Sequence, residues 1–397
     1  MLPKPLLAAT VICLVLLANP AMPAARAGSS VNLNSIARSV TQIAGVRENQ
    51  IVLLTSDPAN YAFLEALAIQ VRAAGAFPLI QVGSDDLNKR MFNEVPARYD
   101  SQPPLLSLAL FRTIDTQISV DYGGEQDYDF FARADQNRLA AQSKAFAPAL
   151  QVFYKLNRRF VDVGNGIFPN RTNARLFRVR QSSLAATFWN AMNSDYSKVQ
   201  STAAALRAAI ARGRTMRVTH SNGTDISFGV RGVQVIVSAG SIAGNCRGVG
   251  CSAFLPAGDV VFIPVQGTAT GKVVFDNTFW GKDLLKRFTA TFASGKLTGM
   301  SSSSDLTKVK AAYAAGSNGR DAFTFVDLGV NNFVKNIPHS LMLATFAGGS
   351  TSLGFGGDLG LGGSNASPFA FSATQPGCTV TVDGKAIITD GKIVAGT

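Results

Sequence analysis

Histidine is almost missing. The 397-residue chain has two, His220 and His339, and neither has a partner at ligand spacing. That removes the zinc motifs built on paired imidazoles, and nothing supports a serine triad around either residue. The ordinary role of such a lone histidine is a hydrogen-bonded structural one. Signature loops are missing too. GTATGKV (267–273) is one spacer short of a phosphate-cradling loop and ends in Val273. Gly354 and Gly356 are followed by Leu359 where a dinucleotide motif needs its third glycine, and no G-x-S-x-G elbow exists. No basic run is interleaved with aromatics, so nucleic acid is set aside as a partner. Past the N-terminus no segment reaches the roughly 18 unbroken apolar residues of a membrane span.

What is present begins with a leader. Lys4 is followed by the apolar run LLAATVICLVLLA, then by prolines and Ala25-Arg26-Ala27, an A-x-A cleavage signal. The expectation is a signal peptide over 1–27 and an exported protein, periplasmic or secreted. An uncleaved anchor is the alternative; the Ile12 before Cys13 is too large for a lipoprotein signal. Export bears on the four cysteines. Cys246 and Cys251 bracket NCRGVGC, a loop short enough to close as a disulfide in an oxidising compartment. A zinc pair is the rival, but no histidine or further cysteine pair lies nearby. Cys378 is left as a lone, buried thiol. The net charge is +12; without Lys4 and Arg26 it falls by two, to +10. Such a chain is drawn to anionic surfaces, an envelope among them.

Hydrophobic residues make up 47% of the chain, with 26 Phe, so a large core is available. QIVLLTS (50–56) reads as a buried strand, 60–74 as a helix ended by Gly75, and FPLIQV (77–82) as a second strand. This β-α-β unit seeds a parallel sheet. Residues 105–114 and 117–120 repeat the theme, and 131–156 form a long helix with Pro148 as a kink. The segment 157–180 crowds Arg158, Arg159, Arg171, Arg175, Arg178 and Arg180, with Arg171, Arg175 and Arg178 the candidates for an anionic ligand and a solvated basic surface the plainer reading. Asn170-Arg171-Thr172 is a glycosylation sequon. After the helix 196–212, TMRVTH, a Ser221-Asn222-Gly223 turn and TDISFGV form a hairpin, and the texture turns to strands, Gly and Ser. The fold class is α/β: an N-terminal parallel-sheet α/β domain (28–213) and a C-terminal, mixed α+β, strand-rich domain (214–397).

Five pieces, in order, carry a resemblance: AAGAFPLI, THSNGTDISF, LPAGDVVFIPVQGTATGKVVFD, FVDLGVNN and TVTVDGKAIITDGKIV. Together they resemble the aminopeptidase T (thermophilic leucyl aminopeptidase) family of metallopeptidases, over most of the mature chain. The resemblance implies a C-terminal domain that holds two divalent metals through two glutamates, two histidines and an aspartate, and a dimer formed through that domain. The glutamate after L-P-A-G corresponds to Asp259, and the one opening E-L-G-I-G to Asp327. The remaining ligand places fall on Thr345, Ala370 and Ser372. The frame persists while three ligands are gone. A related branch uses the scaffold for mononuclear-iron ring-cleaving dioxygenases, and it needs histidines as well.

A bridged metal pair needs enough donors for both ions, and imidazole suits zinc best. Two carboxylates, with Asp358 as a third oxygen source, would hold at most one weakly bound hard cation. Without the resemblance, Asp259 is a turn or strand-edge carboxylate and Asp327 a cap or hairpin residue. The expectation is therefore an exported aminopeptidase-like pseudoenzyme, a homodimer by resemblance, that binds a peptide, amino acid or anionic ligand or serves the envelope structurally. The alternative is an active metal-dependent hydrolase with a carboxylate-only site.

Overall fold

The computed structural model describes residues 31–121, 130, 133–337 and 339–395. The expected signal peptide over 1–27 therefore lies outside the described residues, as do positions 131 and 132 of the long helix.

The first half alternates helix and strand. Asn32 caps α1 (Leu33–Ile43) by accepting from the Ser35 N–H. β1 (Ile51–Ser56), α2 (Tyr61–Ala73) and β2 (Phe77–Val82) follow within a residue or two of the sequence reading. Then come α3 (Asp85–Glu94), α4 (Leu105–Thr113), β3 (Thr116–Val120), α5 (Gln136–Lys155, with Pro148 inside it) and β4 (Arg159–Val163). Three helices lead onward: α6 (Arg171–Leu176), α7 (Gln181–Met192) and α8 (Tyr196–Arg212), the last ended by Gly213.

The second half is mostly strands. They are β5 (Thr215–Thr219), β6 (Asp225–Gly229), β7 (Val235–Ser238), β8 (Ser252–Leu255), β9 (Asp259–Phe262), β10 (Thr270–Trp280), β11 (Asp283–Ala293) and β12 (Lys296–Ser301). After α9 (Thr307–Ala315) come β13 (Phe323–Gly329), β14 (Thr351–Gly356), β15 (Ala370–Gln375), β16 (Thr379–Val382), β17 (Lys385–Thr389) and β18 (Lys392–Ile393).

These strands make three sheets. The parallel sheet has the order β2-β1-β3-β4-β8, an eight-stranded sheet runs β12-β11-β10-β6-β5-β16-β17-β18, and a five-stranded antiparallel sheet runs β15-β14-β13-β9-β7. The last two pack face to face: Phe288 of β11 stacks on Phe371 of β15 at 4.3 Å, inside a core that also buries Phe228, Phe262 and Phe323. A second core lies under α1, α2 and α7, built on Val52, Leu54, Phe63 and Phe188.

One strand crosses the boundary read at residue 214. β8 pairs in parallel with β4, Phe160 opposite Ser252 and Val163 opposite Leu255, so residues beyond 214 complete the first sheet. The chain then turns through a cis Leu255–Pro256 bond and enters the other sheet as β9. Cys246 and Cys251 are disulfide-bonded, S–S 2.07 Å, in the loop before β8. Cys378 is buried, and burial pushes its thiol up to about 12. Among the described residues no helix is long and apolar enough to cross a membrane.

Candidate functional site

The strand alternation of β13 decides where Asp327 goes. Val326 and Leu328 point into the sheet-on-sheet core, so Asp327 points out of the opposite face. On β9 the same alternation buries Val260 and Phe262 and sends Asp259 to that outer face. The register sets Asp327 opposite Val261 and Gly329 opposite Asp259, which makes the two aspartates diagonal neighbours on adjacent strands. The face is roofed by the loop before β14. Gly329 has no side chain, and the carbonyls of Thr345 and Ala347 pack where one would stand. Asp259 and Asp327 are left 3% and 4% exposed.

Asp259 is well held. Its carboxylate accepts from Asn165 Nδ2 at 3.2 Å and from Thr345 Oγ1 at 3.3 Å. Asn165 is itself fixed: its N–H donates to Asp162 at 2.9 Å and its amide to the Pro256 carbonyl at 2.8 Å. Asp327 is not held in this way, and its Oδ1 is buried without a hydrogen-bond partner. Burial pushes Asp259 up to about 7 against the pull of Asn165 and Thr345, and burial beside Asp259 lifts Asp327 well above the carboxylate range. The pair therefore titrates as a unit and retains a proton near neutrality.

The turn that delivers Asp259 is fixed from below by Asn331, which is fully buried. Asn331 donates to the Ala257 carbonyl at 2.8 Å and to Ser194 at 3.1 Å, and accepts from the Phe333 N–H at 3.1 Å. Gly258, at φ 151°, faces Asn331 so closely that a Cβ would lie 2.5 Å from the Asn331 Cβ. Tyr196 completes the surround, its hydroxyl accepting from the Ala257 N–H at 3.4 Å, and burial pushes it up to about 12. Sequence reasoning missed Asn165, Tyr196 and Asn331. Each is a single polar residue whose partner is tens of positions away. All three lay in segments read above, Asn165 in 157–180, Tyr196 at the head of the helix 196–212 and Asn331 as the first of two asparagines in FVDLGVNN, but nothing local distinguished them.

The other expected residues scatter. Ala370 and Ser372 lie opposite Gly356 and Gly354, on the face that carries Asp327 but two strands from it, and both are exposed. The Ser352 and Thr374 hydroxyls pair at 2.9 Å between them. Asp358 turns into its own loop: it accepts from the Asn365 N–H at 2.7 Å, and burial raises it. Among the described residues no three of His, Cys, Asp and Glu gather to hold a metal, so the third oxygen expected from Asp358 is not supplied. His220 accepts from the Asn222 N–H at 3.1 Å, inside the hairpin turn.

The arginine segment divides. Arg171, Arg175 and Arg178 are exposed on and after α6, whereas Arg158 donates to the Phe111 and Arg112 carbonyls and Arg159 to that of Ala44. The sequon asparagine is held in the structure. Asn170 is 7% exposed, caps α6 through Asn173, and gives its amide to Asp121, so it offers no amide for a glycan.

This donor set fits no transition-metal pair. Two carboxylates and a hydroxyl provide no imidazole and too few bonds for two ions.

Comparison with known proteins agrees on the fold. The model of a 2,5-dihydroxypyridine 5,6-dioxygenase family (NicX) matches residues 170–326. The wild-type AmpT structure from Thermus thermophilus aligns with a TM-score of 0.68 at 16% identity, over 91% of this chain and 99% of that one. A 2,5-dihydroxypyridine dioxygenase structure from Pseudomonas putida KT2440 aligns with a TM-score of 0.61 at 12% identity, over 91% and 97%. No curated protein matches the sequence. The chain has the aminopeptidase T-like fold, a fold shared with a dioxygenase.

Proposed function

We propose that this chain is an exported, aminopeptidase-like binding protein whose metal centre has degenerated, and that Asp259 and Asp327 receive the ammonium group of a peptide or amino acid. One observation carries the reading: the two carboxylates stand together, buried, with the Thr345 hydroxyl and not an imidazole bonded to Asp259. A pair that holds one proton near neutrality is a half-charged acceptor, suited to a cationic head and poor at gripping a divalent ion. The exposed Arg171, Arg175 and Arg178 suit the far carboxylate of a peptide or an anionic surface.

The test is metal content beside binding. The purified mature protein is expected to carry well under one transition ion per chain, to bind leucinamide in a titration, and to lose that binding in Asp259→Ala. Two tightly held transition ions per chain would overturn the reading.

The orphaned Oδ1 of Asp327 favours one alternative, a single hard cation on the pair and hydrolytic activity. That reading requires turnover of amino-acid p-nitroanilides with added magnesium or calcium, abolished by a chelator and by Asp259→Ala. Absence of turnover with every divalent ion removes it.

A further inference from the structure

The parallel sheet contains a second concave site, far along the chain from the aspartate pair. Its order, β2-β1-β3-β4-β8, reverses direction between β1 and β3: the chain leaves β1 to one side for β2 and returns to its other side as β3. In open α/β sheets, small molecules bind outside the carboxyl ends of the strands at such a reversal. A cavity of about 630 Å³ lies at this place, within the range of small-molecule sites. It is lined by the ends of β1 (Thr55, Ser56, Asp57), β3 (Ser119, Asp121) and β2 (Gln81). A second hollow of about 480 Å³ shares Asn88 and Phe146 with it and lengthens the groove along α3 and α5.

The lining chooses the ligand. Phosphates and nucleotides need basic side chains or bare helix N-termini. Among the described residues no Lys, Arg or His lines the cavity, and Asp85 and Asp86 open α3. Three carboxylates, Asp57, Asp85 and Asp121, line it instead, in a chain of net charge +12. Lys89 approaches Asp85 at 3.2 Å, Asn170 donates to Asp121, and Asp57 caps a short turn through the Ala59 N–H, so the carboxylates are fixed in place. The lining also carries apolar side chains from α4 and α5, Leu106, Leu110, Phe111 and Phe146, with Leu106 79% exposed. We infer that this groove binds a small organic amine with an apolar or aromatic body, its ammonium among the three aspartates and its body against α4 and α5.

The full chain titrated with phenethylamine, phenylacetate and 2-phenylethanol tests this. The amine is expected to bind saturably and the acid about tenfold more weakly or not at all. Asp57→Asn, which keeps a capping side chain, and Leu106→Ser, at an exposed position, should each weaken the amine about tenfold. Equal binding of acid and amine would overturn the inference, as would an amine affinity that neither substitution moves. Loss of binding in Asp259→Asn, with both groove variants intact, would also overturn it and would place the amine at the buried pair. The groove does not depend on the proposed peptide site, so each can fail alone.

Discussion

Asp327→Asn is expected to raise thermal stability at pH 8 and leave it nearly unchanged at pH 4. Burial lifts Asp327 well above its ordinary range and Asp259 to about 7. At pH 4 the folded pair is protonated and the unfolded aspartates are about half so, which leaves burial costing only about 0.5 kcal/mol per carboxyl. As the pH rises, the unfolded chain releases protons that the native pair keeps, so stability falls. The fall is complete once the folded pair has ionised. The rise of Asp259 to about 7 alone corresponds to about 4 kcal/mol. An amide at 327 keeps nearly the same volume and has no proton for the unfolded chain to release, recovering about 2 kcal/mol or more at pH 8. Melts of both proteins at the two pH values check this. A lower melting temperature for Asp327→Asn at pH 8 would instead mean that the native site holds a cation there. A gain would mark the pair as kept at the expense of stability, as functional sites commonly are.

Asn331→Ala should cost about 3 kcal/mol or more, read as a lower denaturant midpoint, with Asn332→Ala close to wild type. The two neighbours differ in burial: Asn331 is 0% exposed and Asn332 lies at the surface. Truncation strands the Ala257 carbonyl, the Phe333 N–H and one partner of Ser194, all in or near the interior. Buried groups left unpaired cost about 1–3 kcal/mol each. The same change loosens the Ala257-Gly258-Asp259 turn, so leucinamide binding should weaken with it. If Asn331→Ala is as stable as wild type, the turn is held by something other than this side chain.

What could be read along the chain was local. The 3.6-residue spacing of Phe63, Leu64, Leu67 and Val71 and the runs flanking it placed α2 between β1 and β2 to within a residue or two. Ser221-Asn222-Gly223 announced the β5–β6 hairpin in the same way. Partners separated by long stretches of chain were not legible. SAFL can pair as a strand with almost anything, and nothing local directs β8 to β4 across some 90 residues. The site shows the same division. Asp259 and Asp327 were found because their turn and strand residues resemble a family, while Asn165, Tyr196 and Asn331 act through contacts that no local pattern encodes. Asp358 looked available because its loop is glycine-rich, yet a backbone N–H within that loop takes its carboxylate.

The tetrapeptide that delivers Asp259 also ties translation to assembly. Because β8 supplies the last strand of the first sheet, a nascent chain emerging through residue 213 leaves β4 an open edge with unpaired backbone groups. That edge stays bare until residue 255 has cleared the ribosome, and the next four residues then commit the chain to the other sheet. The N-terminal half thus matures only when the C-terminal half has begun, and a gene cut at residue 214 should encode two fragments that need each other to become soluble.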